Sequence, residues 1–358
     1  MKTKYAVIIA TLLSIALCIC CDENELIVPP ESNVQGDILY PVEVHGKYGY
    51  INKTGQIVVN PIYNRAAPFI DPIVYAYKLA YDGSVASVRT NDKYGYIDRV
   101  GQLVIQPQFE KASWFNDGMA VIRLGGKYGY INRDGSMVIP PLYDKGEIFQ
   151  DGMASVRMTN NKWGFIDKTG RLLINPVYDY EAVFTEGMAS VYVDGKYGVV
   201  DKKGNIVVPM EYEYIDIFCD GMAMAEISGK YGYIDKSGRA VVPFQYDDPS
   251  DLYWPRIFSE GLGGIALNDL VGFVDKNASI IINPQYEEAY PFTEGLAAVR
   301  KGGKFGYIDR TNKMVITPQF DEAEPFVYGL ARVVIRVGSE RKTGYINKTG
   351  TYVWMPSN

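Results

Sequence analysis

The residues of this chain whose types and spacing suit chemistry are carboxylates that recur directly before a glycine. Carboxylate pairs serve glycoside hydrolysis, and a row of carboxylates can hold calcium through its oxygens. The recurring carboxylates are Asp117, Asp151, Glu186, Asp220, Glu260 and Glu294. Acidic residues also favour turns, and lysines recur just as regularly at Lys47, Lys93, Lys127, Lys162, Lys196, Lys230 and Lys304. A catalytic site needs its residues once, whereas an array needs them in every unit. We therefore predict ion pairs between neighbouring units, with no catalytic residue, cofactor or metal site.

Histidine and cysteine, the other common catalytic side chains, are scarce. His45 is the only histidine and falls in a predicted turn, while Cys219 stands alone between Phe218 and Asp220. One histidine and one internal cysteine cannot make a His/Cys metal cluster, and a thiol nucleophile would lack a nearby base. The chain also lacks the Gly-x-Ser-x-Gly, His-Glu-x-x-His and phosphate-loop motifs. We expect a protein that is not an enzyme.

Aromatic residues outside the predicted strands are candidate ligand contacts. Trp114 falls in a connection between units, and Tyr253 and Trp254 fall in an insertion around residues 249–255. Insertions in repeat arrays lie on loops and often contribute to a binding face, where aromatic rings can stack on sugar rings. The alternative is that these aromatic side chains belong to the core between repeats.

The elements that must position these residues form a tandem repeat. A phrase of aromatic, Gly, aromatic or aliphatic, Ile or Val, and Asp or Asn recurs nine times, for example at residues 94–98 and 163–167. Most of its central glycines are 34 or 35 residues apart, and three longer steps of 46, 40 and 38 residues interrupt the series. Such a period indicates a tandem-repeat architecture.

Turn residues divide each unit into three strands. Dipeptides such as Gly125-Gly126 precede the repeated phrase, and Asp/Asn-x-x-Gly follows it, as at residues 167–170. These are signals of a two-residue hairpin and of a β-turn, so each unit is predicted to be a three-stranded antiparallel meander. The repeated glycine indicates that a ring or a backbone lies close above it. The spacing of Tyr143, Phe149 and Gly152 in multiples of three residues predicts a short helical turn between meanders, whose aromatic residues fill the gap between them.

These units predict an all-β fold over residues 38–358, built as a tandem array of three-stranded meanders. We expect an open, twisted, solenoid-like stack, because irregular spacings and atypical end units suit an open array with caps. A closed β-propeller is the alternative. A unit of 34 residues is short for a four-stranded blade, and eight full periods would have to close.

The repeated pattern, followed by Val-Ile-x-Pro and then Tyr-Asp, resembles the bacterial WG-repeat family, also called KWG repeats. The literal Lys-Trp-Gly occurs only at residues 162–164, and most copies have Lys-Tyr-Gly or Lys-Phe-Gly. The resemblance covers roughly residues 38–355. It implies a repeat β domain, often on secreted or lipid-anchored proteins, and it supplies no catalytic residues.

The first residues resemble a bacterial lipoprotein signal. Lys2 and Lys4 precede an apolar run at residues 6–17, which is too short for a membrane-spanning helix, and cysteines follow at 18, 20 and 21. We predict a signal peptide at residues 1–20 and a lipidated N-terminus with a tether at residues 21–37. Cys21 is the favoured lipidation site, and Cys20, which has Leu17 three residues before it, is the alternative. The acidic residues 22–25 resemble a tract that directs lipoproteins to the cell surface.

The charge of the chain argues against nucleic acid as a partner. The formal net charge is −6, and no run of basic residues offers the concentrated positive face that nucleic-acid binding needs. The predicted signal peptide and the acidic residues 22–25 together indicate a lipoprotein of the cell envelope, at the outer membrane and exposed at the cell surface. Its array is expected to bind another envelope or extracellular protein. The alternative is a carbohydrate-binding surface protein.

Overall fold

A computed structural model describes residues 38–69, 83–247 and 256–355 of the chain. Within these ranges the protein consists of 34 strands, arranged as nine small antiparallel sheets in which neighbouring strands are also consecutive in sequence. Seven sheets have four strands and two have three. No helix in the described ranges is long and apolar enough to cross a membrane.

Each sheet is called a blade, numbered in chain order. Blade 1 contains β1 (Tyr40–Val44), β2 (Lys47–Ile51) and β3 (Ile57–Tyr63); blade 2 contains β4 (Arg65–Ala66), β5 (Val85–Thr90), β6 (Lys93–Asp98) and β7 (Leu103–Phe109). Blade 3 contains β8 (Lys111–Ala112), β9 (Met119–Leu124), β10 (Lys127–Asn132) and β11 (Met137–Tyr143); blade 4 contains β12 (Lys145–Gly146), β13 (Met153–Arg157), β14 (Trp163–Asp167) and β15 (Leu172–Tyr178). Blade 5 contains β16 (Phe184–Thr185), β17 (Met188–Val193), β18 (Lys196–Asp201) and β19 (Ile206–Tyr212); blade 6 contains β20 (Tyr214–Ile215), β21 (Met222–Ile227), β22 (Lys230–Asp235) and β23 (Ala240–Tyr246). Blade 7 contains β24 (Leu262–Leu267), β25 (Leu270–Asp275) and β26 (Ile280–Tyr286); blade 8 contains β27 (Glu288–Ala289), β28 (Leu296–Lys301), β29 (Lys304–Asp309) and β30 (Met314–Phe320). Blade 9 contains β31 (Glu322–Ala323), β32 (Leu330–Val337), β33 (Glu340–Asn347) and β34 (Tyr352–Trp354).

The predicted meander and its turns are confirmed. In blade 3, Gly125 and Gly126 connect β9 to β10 with φ of 59° and 79°, the left-handed region that glycine tolerates. After β10, the Gly135 amide donates to the Asn132 carbonyl at 3.0 Å, and the Asn132 side chain accepts from the Asp134 amide at 3.1 Å. Local turn chemistry therefore fixes both ends of the central strand.

The repeated glycine lies beneath a neighbouring backbone, as its missing side chain predicts. A Cβ built on Gly129 would stand 2.6 Å from the Ile139 carbonyl oxygen and 2.7 Å from the Pro141 nitrogen. The pairing register of β10 and β11 shifts at this point, which brings the last strand of the blade across the glycine. The glycine is thus required by a bulge within its own blade.

The connection between blades is extended rather than the short helical turn that the spacing suggests. In blade 4 it forms β12, which pairs with β13, and an isolated bridge between Gln150 and Met153. The three-residue steps therefore reflect a fourth strand interrupted by a turn, because the segment finds its hydrogen-bond partners on the following strand.

Aromatic contacts join each blade to the next. The ring of Phe149, which is fully buried, lies 4.8 Å from that of Tyr130 in the preceding blade in an edge-to-face arrangement. The Tyr130 hydroxyl donates to the Glu147 carbonyl at 2.8 Å. Equivalent ring pairs occur at Tyr50–Phe69, Tyr96–Phe115, Phe165–Phe184, Tyr233–Phe258, Phe273–Phe292 and Tyr307–Phe326. The aromatic residues therefore fill the gaps between blades, as predicted.

The array closes on itself, so the closed β-propeller is the arrangement observed rather than the open stack. Tyr40 of blade 1 packs edge-to-face on Tyr345 of blade 9 at 5.5 Å, and the Tyr345 hydroxyl donates to the Pro41 carbonyl at 2.9 Å. A buried cluster that includes Val42 and Leu330 spans the same junction. The first and last blades therefore meet through the same kind of contact that joins their neighbours.

Candidate functional site

The recurring carboxylates link successive blades. Asp117, at a φ of 53°, accepts from the Gly152 amide of the next blade at 2.6 Å and pairs with Lys168 Nζ at 2.6 Å. The same two partners recur for Asp151 (Gly187, Lys202), Glu186 (Gly221, Lys236) and Glu294 (Gly329, Lys348). The amides of Gly261 and Gly295 donate likewise to Asp220 and Glu260.

These contacts correct one detail of the predicted ion pairs. The carboxylates meet the lysine that follows the central strand of the next blade, and not the lysine that begins it. Lys127, which begins β10, pairs instead with Asp144 Oδ1 at 2.5 Å. Because all six carboxylates accept from an amide of the next blade and four of them also pair with its lysine, these side chains hold blades together. The described residues contain no group of three or more His, Cys, Asp or Glu placed to hold a metal ion.

His45 and Cys219 belong to different blades, blade 1 and blade 6. His45 has a φ of 49° in the turn between β1 and β2. Cys219 is fully buried, and its amide donates to the Met222 carbonyl at 2.7 Å.

The predicted ligand contacts are only partly within the described ranges. Trp114 is half-buried and packs against a core cluster that includes Tyr143 and Phe149. Its indole Nε1 is buried, and no hydrogen-bond partner for it occurs among the residues described. Tyr253, Trp254 and the lipidation candidate Cys21 lie outside the described residues.

The last strands of seven blades, all but blades 6 and 9, carry exposed large apolar side chains, which the sequence interpretation missed. In β11, Met137 and Val138 are exposed, Ile139 is buried, and Leu142 is 65 % exposed. Ile139 lies under the turn of the next blade, since a Cβ on Gly170 would stand 3.4 Å from it. The run of three apolar residues in each repeat was the available signal, because a strand alternates and cannot bury all three on one face.

We call the exposed apolar positions on the last strands of blades 1 to 4 the apolar edge surface; the last strands of blades 5, 7 and 8 also carry exposed apolar residues, at Ile206, Ile280, Ile281 and Val315. The apolar edge surface consists of Ile57, Val58, Ile62, Leu103, Val104, Met137, Val138, Leu142, Leu172, Leu173 and Val177. These residues lie on β3, β7, β11 and β15, which are edge strands of their sheets. At the opposite edge, the Asn116 and Gln150 side chains of adjacent blades touch at 2.6 Å, so the blades converge there. The apolar edge surface therefore faces outward from the ring.

Prolines restrict how the edge strands can pair. Pro61, Pro107, Pro141 and Pro176 occupy the fifth position of the four strands that carry the apolar edge surface. Proline lacks an amide donor and is typical of edge strands, where it prevents further strand addition. A partner would therefore meet side chains here rather than extend the sheet.

Comparisons with known proteins identify the repeat. The family described as WG containing repeat matches residues 48–94, 94–128, 128–163, 163–197, 197–231, 231–270, 272–305 and 305–336. No curated protein matches the chain. Among solved structures, the computationally designed Ika8 protein is 12 % identical with a TM-score of 0.46, and the alignment covers 76 % of this chain and 93 % of that one.

Two natural proteins are also similar in structure. BamB from Moraxella catarrhalis is 10 % identical with a TM-score of 0.34, and the alignment covers 76 % of this chain and 79 % of that one. Hsv2 from Kluyvelomyces marxianus is 9 % identical with a TM-score of 0.42, with 69 % of this chain and 96 % of that one covered. The family is established by the eight consecutive repeat matches, which span most of the chain. The chain belongs to the WG containing repeat family.

Proposed function

We propose that this chain is a non-catalytic, lipid-anchored protein of the cell envelope whose ring of blades binds another protein. The observation that carries the proposal is the apolar edge surface. Single exposed apolar residues are ordinary, but large groups of them mark interaction sites. Here they recur at equivalent positions on four successive blades, and Leu142, Ile62 and Val177 are 65 %, 60 % and 51 % exposed.

The geometry of the surface indicates a contact between side chains. The buried core of an interface is more apolar than its rim, and a few residues there carry most of the binding energy. The prolines on the edge strands disfavour recognition by strand addition, and the inter-blade contacts keep the patch in a fixed shape. The partner is therefore expected to present a complementary apolar surface to blades 1 to 4.

The test is capture of the partner from envelope extract, with the captured protein then purified and its affinity measured directly. A chain with Leu142→Asp and Val177→Asp should bind it at least tenfold more weakly, because both charges would be buried unpaired at the interface. Leu124→Asp is the matched control, since Leu124 is exposed but lies at the hairpin of blade 3, and it should leave the affinity unchanged. Equal affinity of both variants would refute the proposed surface.

Two other outcomes would redirect the proposal. Capture of polysaccharide alone would favour the carbohydrate-binding alternative, and Tyr253→Ala with Trp254→Ala would then be expected to abolish retention. Binding of the unlipidated chain to protein-free lipid vesicles, lost in the Leu142→Asp and Val177→Asp chain, would assign the apolar edge surface to the membrane instead.

The lipid anchor is tested separately by metabolic labelling with a fatty-acid analogue. Cys21→Ser should abolish incorporation of the label and release the protein from the membrane fraction, while Cys20→Ser should retain the label. The reverse pattern would move the attachment site to Cys20. Labelling of neither the natural chain nor its variants would remove the anchor from the proposal.

A further inference from the structure

A cavity of about 240 Å³ lies at the junction where the ring closes. Its walls include Tyr40 and Pro41 from blade 1, and Glu324, Leu330, Arg332 and Tyr345 from blade 9. Pockets for drug-sized ligands are roughly 300–1,000 Å³. The cavity at the junction is therefore suited to a smaller molecule.

The cavity arises because blade 1 differs from its neighbours. Within the described residues, blade 1 begins at β1 and has three strands, so no short first strand and no buried phenylalanine fill this junction. In the strand pairing, Tyr40 lies opposite Ile51, the position that Ala120 occupies opposite Ile131 in blade 3. The ring of Tyr40 packs against Tyr345, where other junctions have a buried phenylalanine. One tyrosine thus replaces an alanine and a phenylalanine, and leaves space beside it.

Arg332, a charged residue of the cavity, also departs from the repeat. Arg332 pairs with Tyr345, and the residues at this position in the other four-stranded blades are uncharged: Ser87, Val121, Ser155, Ser190, Met224 and Ala298. Its guanidinium donates from Nε at 2.8 Å and from Nη2 to a single oxygen of Glu324, Oε1. A ligand site needs its residues once, so departures from the repeat are where such a site is expected.

The ion pair leaves one atom of each charge available to a ligand. In the part of the chain that the structure describes, no protein hydrogen bond joins Oε2 of Glu324 or Nη1 of Arg332. The two side chains are 25 % and 29 % exposed, and both line the cavity. An ammonium group can bind the free carboxylate oxygen while a carboxylate binds the free guanidinium amino group.

We propose that this cavity binds a free apolar α-amino acid. The zwitterionic head would meet Glu324 and Arg332, and the apolar side chain would lie against Leu330, Val327 and the rings of Tyr40 and Tyr345. A simple cation or anion would meet only one of the two available atoms, Oε2 of Glu324 or Nη1 of Arg332, and a purely apolar molecule would meet neither. This inference does not depend on the protein partner proposed above.

Titration calorimetry of the whole chain with L-leucine tests the proposal. Saturable binding of one molecule is expected, with L-leucinamide and 4-methylpentanoate at least tenfold weaker, because each lacks one of the two charges. Absence of leucine binding at millimolar concentration, the weak end of measurable affinity, would overturn the proposal. Equal binding of all three compounds would overturn it too, since it would indicate an apolar cavity without head-group recognition.

Two charge-removing variants test whether Glu324 binds the ammonium group of the ligand and Arg332 binds its carboxylate. Glu324→Gln should weaken leucine at least tenfold without changing the affinity for 4-methylpentanoate, and Arg332→Gln should weaken leucine without changing that for L-leucinamide. Glu147→Gln, at the same position of blade 4, is the matched control and should leave leucine binding unchanged. Thermal unfolding confirms that each variant is folded. If Glu147→Gln weakens leucine as much as Glu324→Gln, the assigned site is wrong.

Discussion

At the scale of the residue, the glycine of the repeated phrase is fixed by space rather than by backbone conformation. Gly129→Ala places a methyl carbon 2.6 Å from a backbone oxygen that cannot move without breaking the bulge. We expect it to destabilise the protein by about 3 kcal/mol, the upper end of the range for overpacking. Gly125→Asn is the control, because Asn91 already adopts a φ of 47° in the equivalent hairpin of blade 2. Denaturant unfolding of both variants measures the difference, and equal losses would contradict the steric explanation.

Glu147 gives the stability a dependence on pH. Burial raises its pKa to about 8, and the nearby Glu181 adds to the increase. Because the pKa of Glu147 in the folded protein lies above its ordinary value of 4.5, the native state binds the proton more tightly than the unfolded state. Proton binding therefore contributes to stability in acid, and this contribution to stability is lost as pH rises through about 8. The Tm of the natural chain should therefore fall by several degrees relative to Glu147→Gln between pH 5 and pH 8.

A carboxylate of the opposite kind is the control for this pH dependence. The hydrogen bond from Lys127 lowers the pKa of Asp144, so its contribution is lost only as pH falls below the ordinary value of 3.8. Asp144→Asn should consequently differ from the natural chain most above pH 4, and the difference should disappear in acid. A parallel pH profile for Glu147→Gln and the natural chain would show that Glu147 ionises normally.

The residues whose roles were predictable from sequence are those with local causes. The turn glycines and the Asp/Asn-x-x-Gly turns follow from backbone conformation within four residues. The exposure of Leu142 was not predictable, because it depends on which face of an edge strand meets the next blade. The roles of Arg332 and Glu324 at the junction of blades 1 and 9 were equally unpredictable from sequence, since only closure of the ring brings them to Tyr40.

At the scale of the element, each blade is held by its aromatic contact with the next. Phe149→Ala removes a fully buried ring from the junction of blades 3 and 4. We expect a loss of about 3–5 kcal/mol, as for other buried phenylalanines. Since repeats interact mainly with their neighbours, hydrogen exchange should accelerate in blades 3 and 4 and not in blade 8. Tyr180→Ala, at a side chain 38 % exposed, is the control; uniform acceleration would contradict local coupling.

The elements were predicted well wherever a strand pairs with its neighbour in sequence. All three long strands of each meander follow from alternation and turn residues, as in β9, β10 and β11. The short strand β12 was interpreted as a helical turn, because two residues are too few to show a period. Its pairing with β13 spans a turn around Gly152, and spacing alone does not distinguish that arrangement from a tight helix.

At the scale of the whole molecule, closure of the ring could not be settled from sequence. An open stack and a propeller use the same repeat, and they differ in a small rotation between blades that accumulates around the ring. The contacts that complete the ring are found at the junction of blades 1 and 9. Tyr40 replaces the missing phenylalanine, and its hydroxyl donates to the Val327 and Tyr328 carbonyls at 3.3 and 3.2 Å.

Closure predicts that the chain tolerates circular permutation. Ile38 and Trp354, near the two ends of the described chain, pack in the same cluster, so a short linker can join the first and last blades. New ends placed between Gly125 and Gly126 fall in an exposed turn, where permutation is tolerated best. This permutant should keep its β circular dichroism spectrum and a cooperative unfolding transition. A second permutant opened between Gly129 and Tyr130, inside β10, is the control and should not fold. Loss of folding in both would mean that the two ends do not meet, as in an open stack whose ends no short linker can span.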